Sequence, residues 1–482
     1  MITDNLHKDI KDIKDIESLK GKPWEILHTI SHRPIKELCE NENGLLVFPH
    51  CLDNHRKEFQ KSYILKISDK KISIGNLVGF IGVTDNDSGK SIELTIRSRF
   101  QKEKDSDDYF LHYMLQKVFN ITVLDLKHSS TNDDIFDLAM YLFPHYLKRA
   151  MKQGLFRQYR KREYNDANVR GAIDVSRHIR QNTPFNGRIA YRTSEYCYDN
   201  PLTQLVRHTI EYIRTSRKAG NLLKCDRDMV DYVITIYDIT PTYKANERKR
   251  VINENLKPVK HPFYTAYATL PQLCLQILRH KGVKYGQSNE KIYGILFDCA
   301  WLWEEYLATL IVDKGYTHAV KSVEGGYQFF PQGQKRYPDF YSTTKRRVLD
   351  AKYKPIDGGN DSESTGGWGQ REDQFQLIAY IHTLPKDNSV DGTDDKNVET
   401  TGALVYPTSK KDSKQRFGEL CGLGGLYGTI PFHIPQPEKD GWKEFCDGMA
   451  EESVRFINII ENVDLTSTDT SPEEEDVDDD LD

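Results

Sequence analysis

Apolar and polar positions alternate in short runs along residues 45–99: LLVFP, SYILKIS, KKISIG, LVGFIGV and SIELTIRSRF, divided by turn formers such as DNDSGK. Period-two alternation with β-branched residues predicts strands, and a series of short ones predicts a small barrel or curled sheet. From Asp107 the period becomes helical, in DDYFLHYMLQKVF and DDIFDLAMYLFPHYLKRAMKQGL, with Asp residues where helix N-termini favour negative charge. Residues 214–290 continue mostly helical. KIYGILFDCAWLWEEYLATLI then carries apolar residues at 295, 299, 302/303, 306/307 and 310, the spacing of an amphipathic helix. Two strands follow within RYPDFYSTTKRRVLDAKYK, joined by a polar turn at 342–345. A Gly/Ser-rich loop, the helix REDQFQLIAYIHTL, the strands GALVYP and GTIPFHI and the closing helix WKEFCDGMAEESVRFINII complete the order. The pattern predicts an α+β multidomain chain. Its parts are a β-rich N-terminal domain over 1–105, a mainly helical central region over 106–285, an α/β domain over 286–460 and a disordered acidic tail over 461–482.

Charge sharpens this division. The chain's net charge of −5 becomes +5 without residues 462–482, which hold ten acidic residues and no Lys or Arg. Residues 148–192 hold twelve Lys/Arg against three Asp/Glu, a balance that suits either a phosphate-backbone partner or a solvated helix face. No apolar run approaches the roughly 18 residues of a membrane span. The N-terminus MITDNLHKDIKDIKDIESLK has no apolar core of a signal peptide, so no membrane association is expected. The eight cysteines form no Cys-x-x-Cys pair, which argues against zinc or a disulfide framework and for a reducing cytoplasm.

Two motifs fail on inspection. GVTDNDSGKS ends like a phosphate-binding loop, but Thr84 stands where the first Gly belongs and the stretch is a hairpin turn. Asp199-Asn200-Pro201 continues with Leu202, and no Gly-rich cofactor turn lies nearby, so a methyltransferase site is rejected.

The stretch 336–354 carries chemistry. Asp350 and Lys352 share a strand face, and Asp339 lies on the facing strand. Strands are depleted in Asp, and converging carboxylates repel unless a cation lies between them. Such an oxygen-rich pocket suits Mg²⁺, with Mn²⁺ as a substitute, and a neighbouring Lys can orient or deprotonate a water. Glu304 borders the buried face of its helix and is a candidate ligand or ligand-orienting group. Gln376 and Tyr380 are i and i+4 on one helix face.

Pro338-Asp339, ten residues, then Asp350-Ala351-Lys352 resembles the PD-(D/E)XK nuclease signature. The runs VRGAIDVSRHIRQN and RIAYRTSEYCYDNPL, with LVFPH, GFIGV, LTIRSRF and DYFLHYMLQKVF upstream, resemble the McrC family, nuclease subunits of McrBC modification-dependent restriction systems. The resemblance implies a PD-(D/E)XK restriction-endonuclease-like core in the C-terminal domain. It implies Mg²⁺-dependent cleavage of double-stranded DNA carrying modified cytosine (5-methylcytosine), with Asp339, Asp350, the Ala351 carbonyl and Glu304 at the metal and Lys352 on the water. It implies DNA contacts from Gln376, Tyr380 and Arg336, and a hexameric McrB-like AAA+ GTPase partner that binds the GTP, since this chain has no phosphate loop of its own. A LlaJI-type site-specific enzyme, a stand-alone repair nuclease and a non-catalytic regulatory subunit of the GTPase are the alternatives.

Overall fold

The computed structural model describes residues 2–9, 26–41, 44–49, 62–68, 71–84, 91–101, 108–119, 132–216, 219–257, 259, 261–284, 292–319, 326–330, 332–354, 368–385, 399–437 and 441–462. The acidic tail beyond Asn462 and most of the rejected phosphate-loop stretch lie outside these residues. The chain is mixed α+β and forms two compact units. One comprises Met1–Arg99, Glu103–Asp107 and Leu115–Asp298; the other comprises Phe100–Lys102, Asp108–Met114 and Cys299–Asp482.

The first unit opens with β1 (His7–Asp9), α1 (Ile35–Asn41), β2 (Gly44–Phe48), β3 (Leu65–Ser68), β4 (Lys71–Ile74), β5 (Leu77–Thr84) and β6 (Ser91–Ile96). Helix α2 (Tyr109–Phe119), divided between the two units at Met114/Leu115, and α3 (Asn132–Lys152) follow. Next come β7 (Gln158–Asp166), β8 (Ala172–Ile173), α4 (Val175–Gln181) and β9 (Ile189–Cys197). The helices α5 (Pro201–Thr215), α6 (Arg227–Ile239), α7 (Arg248–Glu254) and α8 (Leu270–Lys284) lead to β10 (Ile292–Asp298).

The predicted N-terminal strands, joined by β1 and β10, form two sheets, β1-β4-β3 and β2-β10-β5-β6, in place of the single small barrel or curled sheet expected. Residues from both sheets, among them Leu45, Val47, Ile67, Ile72, Ile81 and Leu94, share one apolar core. The expected helix over 291–311 is in fact β10 followed by a helix from Cys299. β10 runs parallel to β2 and antiparallel to β5. All seven of its residues are buried, as is β5 through Val83, so neither strand alternates and β10 cannot be told by period from a buried helix. Close approach of β10 to β5 depends on glycine. Gly79 and Gly294 have φ of +146° and +147°, and a Cβ on either would come within 2.2 Å of a carbonyl oxygen of the facing strand.

The expected mainly helical central region also holds a three-stranded antiparallel sheet, β7-β9-β8. Its strands lack apolar alternation, which hid them. Long backbone pairing from Gln158↔Cys197 to Asp166↔Ile189 holds β7 to β9. Cross-strand aromatic pairs add to it: the rings of Tyr159 and Tyr196 are 4.9 Å apart, and those of Tyr164 and Tyr191 stack at 5.5 Å. The Asp199-Asn200-Pro201 motif has a structural role here. Asn200 Oδ1 accepts from the Leu202 and Thr203 amides at the start of α5. Buried Asp199 accepts from Gln204 Nε2 and Thr242 Oγ1, both at 2.7 Å.

The second unit contains α9 (Cys299–Ile311), β11 (Thr317–His318), β12 (Tyr327–Gln328), β13 (Lys335–Arg336), β14 (Phe340–Ser342) and β15 (Arg347–Ala351). It continues with α10 (Arg371–Thr383), β16 (Thr401–Thr408), β17 (Arg416–Glu419), β18 (Leu426–His433) and α11 (Trp442–Glu461). Six strands form one mixed sheet, β11-β14-β15-β16-β18-β17. β15, β16 and β18 are parallel neighbours, and β11, β14 and β17 are antiparallel additions. Trp303 and Tyr306 of α9 pack with Phe432, and Phe432 packs with Phe456 of α11. Leu377, Tyr380 and Ile381 of α10 pack with Val348, Leu404, Tyr406 and Tyr427. Of the cysteines, Cys39 is disulfide-bonded, which their scatter along the chain did not foretell; six others are free thiols.

Candidate active site

The site grows from the β14–β15 hairpin. The four-residue turn 343–346 places Phe340 opposite Leu349 and Ser342 opposite Arg347. Asp339 sits in a bend just before β14, not within the strand as alternation predicted. Its Oδ2 accepts from the Ala351 amide at 2.8 Å, which fixes one carboxylate beside the end of β15. Asp350 projects from β15 and is 2% exposed. Just past the strand, the Lys352 amide continues the sheet by donating to the Val405 carbonyl at 2.8 Å.

Lys352 Nζ lies 2.6 Å from Asp350 Oδ2 and 3.5 Å from Asp373 Oδ1. It also donates to Gln376 Oε1 at 3.2 Å, and Gln376 Nε2 donates to Tyr380 OH at 3.2 Å. Lys354 Nζ holds the other oxygen of Asp373 at 2.6 Å and donates to Gln370 Oε1 at 2.7 Å. Strand β15 therefore supplies the acid and the residue just past its end the amine, while α10 supplies Asp373, Gln376 and Tyr380 from one face.

The electrostatics follow from burial. Desolvation first, then the Asp339 charge, pushes the Asp350 carboxyl up to about 7, against the pull of Lys352. Burial pulls the Lys352 ammonium down, but the carboxylates of Asp350, Asp339 and Asp373 outweigh it and raise it above the ordinary lysine range. Burial also raises Tyr380, with the Asp350 and Asp339 charges adding to the effect.

The fold thus brings together Asp339, Asp350, Ala351, Lys352, Gln376 and Tyr380. Two further sequence candidates lie on other elements of the unit. Glu304 is buried on α9, and its Oε1 meets His318 Nε2 at 3.0 Å. His318 in turn packs against Phe340, ring to ring at 4.9 Å. Arg336 is exposed on β13 with its guanidinium 5.9 Å from the Phe329 ring. Asp373 was not foreseen; the available signal was its i, i+3 spacing from Gln376. Among the described residues, no three His, Cys, Asp or Glu side chains cluster closely enough to hold a metal by themselves.

A buried carboxylate–ammonium cluster at the end of an interior strand of a mixed sheet defines a candidate centre for acid–base or cation-assisted chemistry. Residues 72–407 match the family described as McrBC 5-methylcytosine restriction system component. The match spans more than half of the chain, and the chain belongs to that family. No curated protein matches it. Two solved structures from Thermococcus gammatolerans contain similar chains. One is the refined half-complex from the tetradecameric assembly of McrB AAA+ hexamers with bound McrC. There the TM-score is 0.45 at 15% identity, covering 93% of this chain and 99% of that chain. The other is the cryo-EM structure of the McrBC complex, with TM-score 0.29 at 15% identity, covering 64% of this chain and 86% of that chain. No described helix is long and apolar enough to cross a membrane.

Proposed function

We propose that the chain is the nuclease subunit of an McrBC-type restriction system and hydrolyses phosphodiester bonds of DNA carrying 5-methylcytosine. The observation that carries this reading is the buried Asp350 held 2.6 Å from Lys352, with Asp339 fixed on the amide of the intervening residue. The mixed sheet of the unit around it, flanked by helices, supports reading that unit as a PD-(D/E)XK core. Family membership supplies the substrate class, and the partner class that goes with this reading is a McrB-like AAA+ hexamer that binds and hydrolyses GTP.

The donor set fits a hard divalent cation. Asp339 and Asp350 offer carboxylate oxygens and Ala351 a carbonyl, and burial first, then the Asp339 charge, pushes the Asp350 carboxyl up, a push that a cation between the carboxylates would relieve. Two carboxylates with several waters suffice for Mg²⁺, so the absence of a three-residue cluster is no obstacle. Bound there, Mg²⁺ would polarise the attacked phosphate and stabilise the leaving oxygen. Lys352, fixed by Asp350, Asp373 and Gln376, is placed to orient the attacking water and to offset charge gathering on the phosphate oxygens. The water oxygen bonds to phosphorus, its proton leaves to solvent or a neighbouring oxygen, and the P–O bond to the leaving strand breaks. Gln376 accepts from Lys352 and donates to Tyr380, and this pair would contact the phosphate. Glu304, in contact with His318 at 3.0 Å, would support the metal or its water.

The test is cleavage of 5-methylcytosine DNA by the chain with its AAA+ partner, GTP and Mg²⁺, comparing Asp350→Ala with the parent. Loss of cleavage with retained stimulation of GTP hydrolysis is expected. Undiminished cleavage by the variant would remove the cluster from the chemistry.

A further inference from the structure

The small β12–β13 hairpin is not used by the reaction as described, yet it is built on the same residues. Tyr327 pairs with Arg336 and Gln328 with Lys335. Its turn is closed twice: the Gly333 amide donates to the Phe330 carbonyl, and Gln328 Nε2 donates to the Gly333 carbonyl, both at 2.9 Å. The two adjacent phenylalanines behave differently. Phe329 turns inward, its ring 5.8 Å from that of Tyr380. Phe330 stands 72% exposed on the closed turn.

The base of the hairpin is tied to the reacting groups. Tyr327 OH donates to the Tyr380 carbonyl at 3.2 Å. Tyr380 OH accepts from Gln376, and Gln376 accepts from Lys352. An apolar ring is therefore carried on an arm whose foot, Tyr327, is three hydrogen bonds from the amine of the site. The arm's charge is one-sided. Residues 326–337 contain Lys335 and Arg336, three glutamines and no Asp or Glu, and both cations are exposed.

We propose that this hairpin is a DNA wedge: Phe330 enters the base stack beside the phosphate addressed by Lys352, while Lys335 and Arg336 lie on neighbouring phosphates. The inference rests on the nuclease reading and adds the group that distorts the substrate. A wedge needs an exposed apolar side chain, an anchored base and flanking cations that neutralise phosphates, and the hairpin has Phe330, the Tyr327–Tyr380 tie, and Lys335 with Arg336. A tip meant for another protein would have no need of this one-sided charge or of the hydrogen-bonded path to Lys352.

The test uses the full chain with its AAA+ partner and a 5-methylcytosine duplex carrying 2-aminopurine at successive positions. The parent chain should raise 2-aminopurine fluorescence at a discrete position, as a base loses its stacking partner. Phe330→Ala should abolish the rise and weaken DNA binding about fivefold or more, the scale of one lost base–aromatic stack. Phe330→Trp should restore both. Melting temperature and stimulation of GTP hydrolysis should be unchanged, because the ring packs on nothing that folding needs. Parental affinity and fluorescence in Phe330→Ala would overturn the wedge, as would a parent chain that binds without raising fluorescence at any position. Lost GTPase stimulation with intact DNA binding would assign the tip to the protein partner and overturn it equally. None of these readouts needs hydrolysis, so they stand apart from the cleavage test of Asp350.

Discussion

The carboxylate–lysine site on the six-stranded sheet and the β7-β9-β8 sheet of the first unit are both rich in charge, and they use it in opposite ways. In the first, charge opposes folding. Asp350 is buried beside another carboxylate and its carboxyl is pushed up to about 7, so ionising it in the apo protein costs stability. In the second, charge builds the fold. Arg177 Nη2 donates to the Tyr164 and Tyr191 carbonyls at 2.7 Å, and its Nη1 meets Glu163 at 2.5 Å. Arg192 meets Asp174 at 2.6 Å, and Asp174 caps α4 through the Arg177 amide. A charge kept where it destabilises points to chemistry, whereas a charge that stitches exposed strands together points to architecture.

The sharpest way to break this contrast is Asp350→Ala. Removing the carboxylate deletes one of the few protein oxygens available to a cation, and cleavage should fall by about 10³-fold. The same change relieves repulsion with Asp339, so melting temperature should hold or rise slightly. Collapse of stability together with activity would make Asp350 an architectural residue like Arg177, and the two regions would no longer differ in kind.

Arg177→Ala is the counterpart and should show the reverse profile. It leaves two strand carbonyls and the Glu163 carboxylate without their shared donor, a loss of about 2–3 kcal/mol. The cost is local, so amide hydrogen exchange in β7 and β9 is the measurement, with protection falling there and the six-stranded sheet unaffected. Unchanged protection would mean that backbone pairing alone holds the strands.

How much of this was legible in the sequence follows from the same contrast. The Asp339, Asp350 and Lys352 constellation could be read because acidic residues among β-branched and aromatic neighbours contradict strand preference. β5 and β6 were legible from their composition. β7 and β9 were not, because strands held by arginines, tyrosines and backbone pairing show no apolar period. β10 was missed because a wholly buried strand and a buried helix share the same continuous apolar run, and only Gly294 marked it. The Glu304–His318 contact joins α9 to a two-residue strand across a fold that had yet to be assembled. Asp373 lay in plain sight on the right helix face, but a carboxylate in a first helical turn is ordinary, and only its two lysine contacts give it meaning.

Asp373→Asn tests that meaning at smaller amplitude. The amide keeps the shape and the hydrogen bond to Lys354 but removes the charge 3.5 Å from Lys352 Nζ. Lys352 keeps Asp350 and Gln376, so its position loosens without being lost. Cleavage should fall about tenfold, as for one charged contact worth roughly 1–2 kcal/mol, while DNA affinity and melting temperature stay near the parent's. Parental cleavage would place Asp373 with the architectural charges.

The smallest expected effect lies on α4, and it concerns apolar groups in the charge-built region. Val175 and Ile179 are 62% and 59% exposed, one helical turn apart, and no residue of α4 is buried. A helix that buries nothing draws little stability from its apolar face and is held by polar contacts, among them its Asp174 cap, Arg177, and His178 accepting from the Ala190 amide. Val175→Ser with Ile179→Ser should therefore change unfolding free energy by no more than about 0.5 kcal/mol, the range of surface substitutions. Truncations of the same kind among Leu377, Ile381 and Val348, which pack on the six-stranded sheet, cost several times as much. The measurement is denaturant unfolding of the double variant beside Leu377→Ala. Equal losses would show that α4 is covered by another part of the chain in solution, and the opposition between a region held by its core and a region held by its charges would fail at that point.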